Sequence, residues 1–140
     1  MANTHLLIRR YYEAFNERRF EENAELYAVD AVLQHRPNSG PYQGPEGYLA
    51  SARQAIASFP DLRLQIIRVE QRGDTIVEVD VFATGTLAGD WDAGPIGRLK
   101  ATGKVKTFRI REMLEIRGGK ITFSALTYNL QELLGPDAPR

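Results

Sequence analysis

Apolar residues recur every three or four positions at the start of the chain. From Leu7 to Phe15 the apolar positions fall on one side at the period of an α-helix, while the charged positions fall on the other. Tyr11 lies at the centre of this apolar stripe. The pattern predicts a first helix capped by Asn3 or Thr4, and a second helix from about Phe20 to Ala28.

The next segments predict a short strand and a third helix. The strand covers Ala31 to Arg36, places His35 on its apolar face and ends at the turn residues 37–41. The third helix begins near Pro45, because proline suits the first helical position, and runs to Phe59.

The second half of the chain shows the period of two that is typical of strands. Leu62–Glu70 and Thr75–Thr86 predict one hairpin, and Val105–Ile116 and Ile121–Leu130 predict another around a glycine pair. The segment 87–104 is too long for a tight turn, and we interpret it as a functional loop or lid. These elements predict an α+β fold, with three helices beside a mainly antiparallel sheet of four to six strands.

Composition narrows the possible functions. A length of 140 residues predicts a single domain over residues 1–140. The formal net charge is zero, which argues against binding to nucleic acid or to a membrane surface. The chain has no cysteine and two histidines, so thiol chemistry is excluded and neither a metal site nor a cofactor is expected. Without a basic, then apolar, leader pattern, we expect a cytoplasmic protein.

Three polar residues stand at positions where the pattern calls for apolar ones. Glu112 shares a strand face with apolar residues, so its carboxyl must be paired, hydrogen-bonded or protonated with a raised pKa. The alternative is a structural carboxyl that is solvated at a strand irregularity or paired with an arginine. His35 shares a face with Ala31 and Leu33 and is a candidate proton carrier, because an imidazole ordinarily exchanges protons near neutral pH; a structural histidine is the alternative. The hydroxyl of Tyr11 must find a partner, and simple core packing is its alternative reading.

The strand before the long loop has two different faces. Its valines face one way, and this side is either core or a subunit interface. Asp80 and Phe82 face the other way, so Asp80 is either solvated or lines a cavity.

Several segments resemble the SnoaL-like polyketide cyclase family. This family belongs to the nuclear transport factor 2-like superfamily, together with ketosteroid isomerases and limonene epoxide hydrolases. The segments that carry the resemblance are Ile8–Asn16, Gly44–Gly47, Phe59–Leu62, Thr102–Lys104 and Gly119–Ile121. The resemblance implies a cone-shaped, curved antiparallel sheet wrapped around helices, a deep apolar cavity and a homodimer formed through the outer sheet face.

The ketosteroid isomerases also suggest roles for single residues. By resemblance, Tyr11 takes the place of the oxyanion-hole tyrosine, His35 that of the carboxylate base, and Glu112 that of the protonated acid. These three are the predicted catalytic residues. The predicted substrate-binding residues are Phe15, Tyr48, Phe59, Asp80, Phe82, Trp91, Leu126 and Tyr128. Asp80 and Leu126 stand where the epoxide hydrolases carry an arginine and an acid, which argues against water activation of their kind.

Three functional hypotheses follow. The first is a cofactor-free acid–base enzyme of the isomerase or aldol cyclase type, acting on a small or polycyclic apolar carbonyl compound. The second is a non-catalytic protein of the same fold that binds a small apolar ligand or a partner chain. The third is hydrolysis or dehydration by a water held between Asp80 and His35.

Overall fold

The computed structural model describes residues 2–36, 42–92 and 97–134, with side chains from residue 4 onwards. Its helices are α1 (Ala2–Asn16), α2 (Phe20–Ala24), α3 (Gly44–Ser58) and α4 (Leu130–Leu134). Its strands are β1 (Tyr27–Arg36), β2 (Tyr42–Gln43), β3 (Arg63–Gln71), β4 (Ile76–Thr86), β5 (Trp91–Asp92), β6 (Arg98–Leu99), β7 (Val105–Arg117) and β8 (Lys120–Tyr128).

Six strands form one sheet in the order β2-β1-β8-β7-β4-β3. Neighbouring strands are antiparallel except β1 and β8, which pair in parallel. The short strands β5 and β6 form a separate antiparallel pair. The predicted α+β class and the mainly antiparallel sheet are confirmed.

One face of the sheet packs against α1 and α3 and forms the core. On β4 the alternation places Val77, Val79 and Val81 inward with no exposed surface. On β7 the inward residues are Phe108, Ile110, Glu112 and Leu114. The valine face is therefore core, and the opposite face of β4 lies on the outside of the molecule.

Two helix predictions differ from the structure. The second helix ends at Ala24, because Tyr27 onwards pairs with β8 and the amide N–H of Ile121 donates to the carbonyl of Leu26 at 2.7 Å. Strand pairing here overrides local helix propensity. The first helix begins at Ala2, so Asn3 and Thr4 lie inside it rather than at its cap.

The strand predicted to reach Leu130 stops at Tyr128, and a short unpredicted helix begins at Leu130. The side chain of Asn129 accepts from the amide N–H of Glu132 at 3.1 Å, which satisfies a free donor in the first turn of α4. The predicted glycine turn is confirmed, since Gly118 and Gly119 have φ angles of 56° and 76°.

The predicted lid contains β5 and β6, and its residues 93–96 lie outside the described part of the chain, as do the turn residues 37–41. Within the described ranges, no helix combines the length and the apolar character that a membrane span requires.

Candidate active site

A cavity lies between α1, α3 and the inner face of the sheet. Its empty space is about 720 Å³, a volume that includes the part open to solvent. All of the predicted site residues except two line it, namely Tyr11, Phe15, His35, Tyr48, Phe59, Trp91, Glu112, Leu126 and Tyr128. The tertiary structure thus brings the three predicted catalytic residues to one enclosed, mostly apolar space.

Asp80 and Phe82 do not line this cavity, so the structure does not bring these two predicted substrate-binding residues together with the other nine. Both follow the outward alternation of β4. Asp80 forms ion pairs on the outer face with Arg111 at 3.0 Å and with Arg68 at 3.5 Å, and Phe82 is 39% exposed. The sheet itself separates Asp80 from His35, which rules out a water held between them.

Glu112 is the one acid among the described residues that line the cavity, and 1% of its surface is exposed. The hydroxyl of Tyr12 lies 2.5 Å from its Oε1, and the hydroxyl of Ser124 lies 2.7 Å from its Oε2. Burial raises the pKa of the Glu112 carboxyl, and hydrogen bonds from Tyr12, Ser124 and Tyr11 counteract part of this rise. In the described part of the chain it contacts hydroxyl groups rather than the arginine that the sequence allowed.

His35 lies on β1, and both of its ring nitrogens face serine hydroxyls. Nδ1 is 2.5 Å from Oγ of Ser51, and Nε2 is 3.4 Å from Oγ of Ser124. Burial lowers the pKa of His35 to about 4, because the apolar surroundings disfavour the imidazolium ion. At neutral pH the imidazole is uncharged and keeps one nitrogen free of a proton.

His35 and Glu112 approach each other from two strands that do not touch. In the sheet register, His35 on β1 is opposite Leu126 on β8, and Leu126 is opposite Glu112 on β7. The apolar side chain of Leu126 thus stands between the two polar residues in this row. Ser124, two residues earlier on β8, provides the polar connection instead.

Tyrosine hydroxyls surround the carboxyl on its helix side. Oη of Tyr11 lies 2.5 Å from Oη of Tyr27, and Asn23 donates to Oη of Tyr48 at 2.9 Å. Burial raises the pKa of Tyr11, Tyr12 and Tyr27 well above the usual value, and that of Tyr48 as well. These groups therefore remain neutral hydrogen-bond donors throughout the range of pH in which the protein would work.

The rest of the cavity wall is aromatic and aliphatic. The ring of Trp91 packs edge-on against Tyr128 at 5.5 Å, and the ring of Phe59 contacts Phe108 at 5.7 Å. Trp91 is 2% exposed although it belongs to the predicted lid. Such a wall suits an apolar ligand whose few polar atoms point towards the Glu112 end.

Sequence reasoning missed three polar residues of the site. Tyr12 shares the apolar stripe of α1 with Tyr11, so the pair of adjacent tyrosines was an available signal. Ser51 lies on the buried side of α3 and is 8% exposed. Ser124 lies two residues before Leu126 and four before Tyr128, both predicted site residues, so the period of two along β8 was an available signal.

Metal binding finds no support in the described ranges, where no three His, Asp or Glu side chains converge in a way that could hold an ion. The described groups that could carry chemistry in the cavity are an uncharged imidazole, a buried carboxyl and neutral hydroxyls. Together they are suited to moving a proton and to donating hydrogen bonds to an oxygen atom.

Solved structures share this fold over nearly the whole chain. AclR from Streptomyces galilaeus, proposed to be a hydroxylase, is 19% identical, with 99% of each chain covered and a TM-score of 0.79. IdmH from Streptomyces antibioticus, proposed to be a polyketide cyclase, is 27% identical over 88% of this chain and 89% of its own, with a TM-score of 0.69.

A third structure belongs to a protein from Catenulispora acidiphila that has a ketosteroid isomerase-like fold and was solved in complex with trimethylamine. It is 17% identical over 91% of this chain and 88% of its own, with a TM-score of 0.73.

Comparison with curated proteins gives no match. The SnoaL-like domain family matches residues 8–124. Since this match covers most of the chain and the fold agrees with it, the protein belongs to the SnoaL-like domain family.

Proposed function

We propose that this protein is a cofactor-free acid–base enzyme that converts a small or polycyclic apolar carbonyl compound through an enolate. The observation that carries the proposal is the pairing of an uncharged His35 with a buried Glu112 of raised pKa in one apolar cavity. Two titratable groups whose surroundings shift their pKa values in opposite directions are typical of acid–base sites.

In the proposed reaction His35 removes a proton from the carbon next to the carbonyl. The electron pair of the C–H bond moves into the enolate, and negative charge develops on the carbonyl oxygen. Neutral Glu112 and Tyr11 donate hydrogen bonds to this oxygen, and each such donor contributes about 3 kcal/mol or more in comparable sites. Tyr12, whose hydroxyl is already bonded to Glu112, holds the carboxyl in place.

The enolate has two productive fates. Return of the proton from His35 to a different carbon gives an isomer. Attack of the enolate carbon on a second carbonyl group of the same molecule closes a ring, and the proton then goes to the new alkoxide oxygen. The structural likeness to IdmH, proposed to be a polyketide cyclase, supports the second fate.

An assay for enolate formation tests the proposal without knowledge of the final product. We expect the protein to accelerate hydrogen–deuterium exchange next to the carbonyl of small polycyclic ketones in D₂O, measured by NMR. Planar phenols, which imitate an enolate, are expected to bind and to change the fluorescence of Trp91, the only tryptophan. The variant Asp80→Asn, altered only on the outer face, serves as a control and should exchange at the rate of the unmodified protein.

The same two measurements separate the proposal from its alternative. Phenol binding without any exchange would assign the cavity to a non-catalytic protein that binds an apolar ligand. The absence of both would exclude apolar carbonyl compounds of this class as ligands.

The two adjacent tyrosines should differ in their effect. Tyr11→Phe is expected to lower the exchange rate about tenfold or more with little change in phenol affinity, because it removes a donor to the developing charge. Tyr12→Phe is expected to have a smaller effect on the rate and to raise the pKa of Glu112 further, because it removes a hydrogen bond to the carboxylate. Exchange rates and a ¹³C titration of the carboxyl measure the two effects, and equal rates in both variants would contradict the assigned roles.

A further inference from the structure

Ser124 is the only described residue with hydrogen-bond contacts to both His35 and Glu112. Its Oγ lies 2.7 Å from Oε2 of Glu112 and 3.4 Å from Nε2 of His35, and the residue has no exposed surface. The second distance is long, as is common for catalytic groups before a ligand binds. The other ring nitrogen of His35, Nδ1, contacts the hydroxyl of Ser51.

A serine hydroxyl has one proton to donate and lone pairs that accept. If Glu112 is ionised, Ser124 donates to the carboxylate and accepts from Nε2–H, and Nδ1 then accepts from Ser51. If Glu112 carries a proton on Oε2, it donates to Ser124, Ser124 donates to Nε2, and Nδ1–H donates to Ser51. The two arrangements differ by one proton taken from solvent, and the imidazole is neutral in both.

The tyrosines that face this chain of hydrogen bonds keep their protons over the pH range in which Glu112 titrates. Tyr11 and Tyr12 face Glu112 from α1, Tyr27 from β1, Tyr48 from α3 and Tyr128 from β8, and burial raises the pKa of each. On the neighbouring strand β4, the residue opposite Glu112 is Val79, which does not titrate. The carboxyl and the imidazole are thus the groups whose protons can redistribute.

We propose that Ser124 is a positioning residue that ties the tautomer of His35 to the protonation state of Glu112. Protonation of the acid places the ring proton on Nδ1 and leaves Nε2 unprotonated. The acid form of Glu112 and the basic nitrogen of His35 are then present together in the free protein. This inference deepens the proposed function, and it concerns an equilibrium that is measured without any substrate.

The tautomer of His35 is directly observable in protein labelled with ¹⁵N-histidine. The chain has two histidines, and the exposed His5 serves as the internal reference. Long-range ¹H–¹⁵N correlations identify the protonated ring nitrogen from pH 5 upwards. We expect Nδ1 and Nε2 of His35 to exchange their chemical-shift ranges over the pH interval in which the Glu112 carboxyl titrates.

Ser124→Ala is expected to abolish this change of tautomer while Glu112 still titrates. Ser58→Ala is the matched control, because Ser58 is a buried serine on the same helix as Ser51 that donates to the carbonyl of Asp90 instead, and it should retain the change. If alanine at position 124 prevents folding, Ser124→Cys replaces the hydroxyl by a thiol of similar size, which is a weaker hydrogen-bond donor. We expect the change of the His35 tautomer with pH to be smaller in this variant.

A single tautomer of His35 over the whole pH range in the unmodified protein would overturn the inference, whether or not Glu112 titrates. So would an unaltered change of tautomer in Ser124→Ala. A failure of the exchange assay with the tautomer coupling intact would count against the proposed function alone, since the coupling requires no turnover.

Discussion

Replacement of His35 by alanine is expected to lower the rate of exchange next to the carbonyl at least 100-fold. The imidazole is the proposed base, and a positioned base or acid typically contributes about 10²–10⁴-fold. The measurement is the initial rate of deuterium incorporation, followed by NMR. His5→Ala is the control, because His5 is exposed and does not line the cavity, and the rate of this variant should match that of the unmodified protein.

The pKa of His35 predicts how the exchange activity depends on pH. His35 acts as a base in its neutral form, and burial lowers the pKa of its imidazole to about 4. Activity should therefore persist as the pH falls from 7 to 5 and decline only as it approaches 4. A decline centred near 6.5, the usual pKa of histidine, would show that the imidazole is solvated and would contradict the assignment.

Replacement of Glu112 by leucine is expected to lower the exchange rate about 100-fold, the loss typical of a missing donor to an oxyanion. Glu112→Gln keeps the shape and an N–H donor, so a loss of at least tenfold is expected, with phenol affinity roughly retained. Leucine also leaves the hydroxyls of Tyr12 and Ser124 without their partner. An unsatisfied buried group costs about 1–3 kcal/mol of unfolding free energy, so thermal unfolding should begin at a lower temperature in Glu112→Leu than in Glu112→Gln.

Glu115→Gln provides the matched control for this pair. Glu115 lies on the same strand, but its side chain bonds to Thr122 and Arg117 instead of facing the cavity. We expect its exchange rate to equal that of the unmodified protein. Equal rates in Glu112→Leu and Glu115→Gln would remove Glu112 from the mechanism.

Part of the candidate site could be read from local patterns. On β7 the strict alternation of apolar and polar residues placed Glu112 on the inner face, and the structure has it there. On β1 the same alternation placed His35 inward. Alternation is reliable on such strands because successive side chains point to opposite sheet faces.

The two predicted site residues that lie outside the cavity stand where the local pattern had two solutions. The alternation of β4 separated its valines from Asp80 and Phe82, but it did not say which of the two faces enclosed a cavity. The packing of α1 and α3 against the valine face decides this, and it leaves Asp80 to pair with arginines outside. The alternation of β8 also had two solutions, because an irregularity in strand pairing lies between Ile121 and Phe123. Counted from Ile121, Ser124 falls on the outer face; counted back from Leu126 and Tyr128, it falls on the inner face, where the structure has it.

The sequence by itself determined the element types, the inner faces of the regular strands and the presence of a histidine and a glutamate among apolar residues. These follow from periodicity, which depends only on neighbours along the chain. The tertiary structure alone decided that His35 and Glu112 meet through Ser124, that Tyr12 rather than an arginine contacts the carboxyl, and that burial lowers the pKa of His35 and raises that of Glu112. Such contacts join residues as many as 100 positions apart, and the pKa shifts come from burial, which exists only once the sheet has closed over the helices.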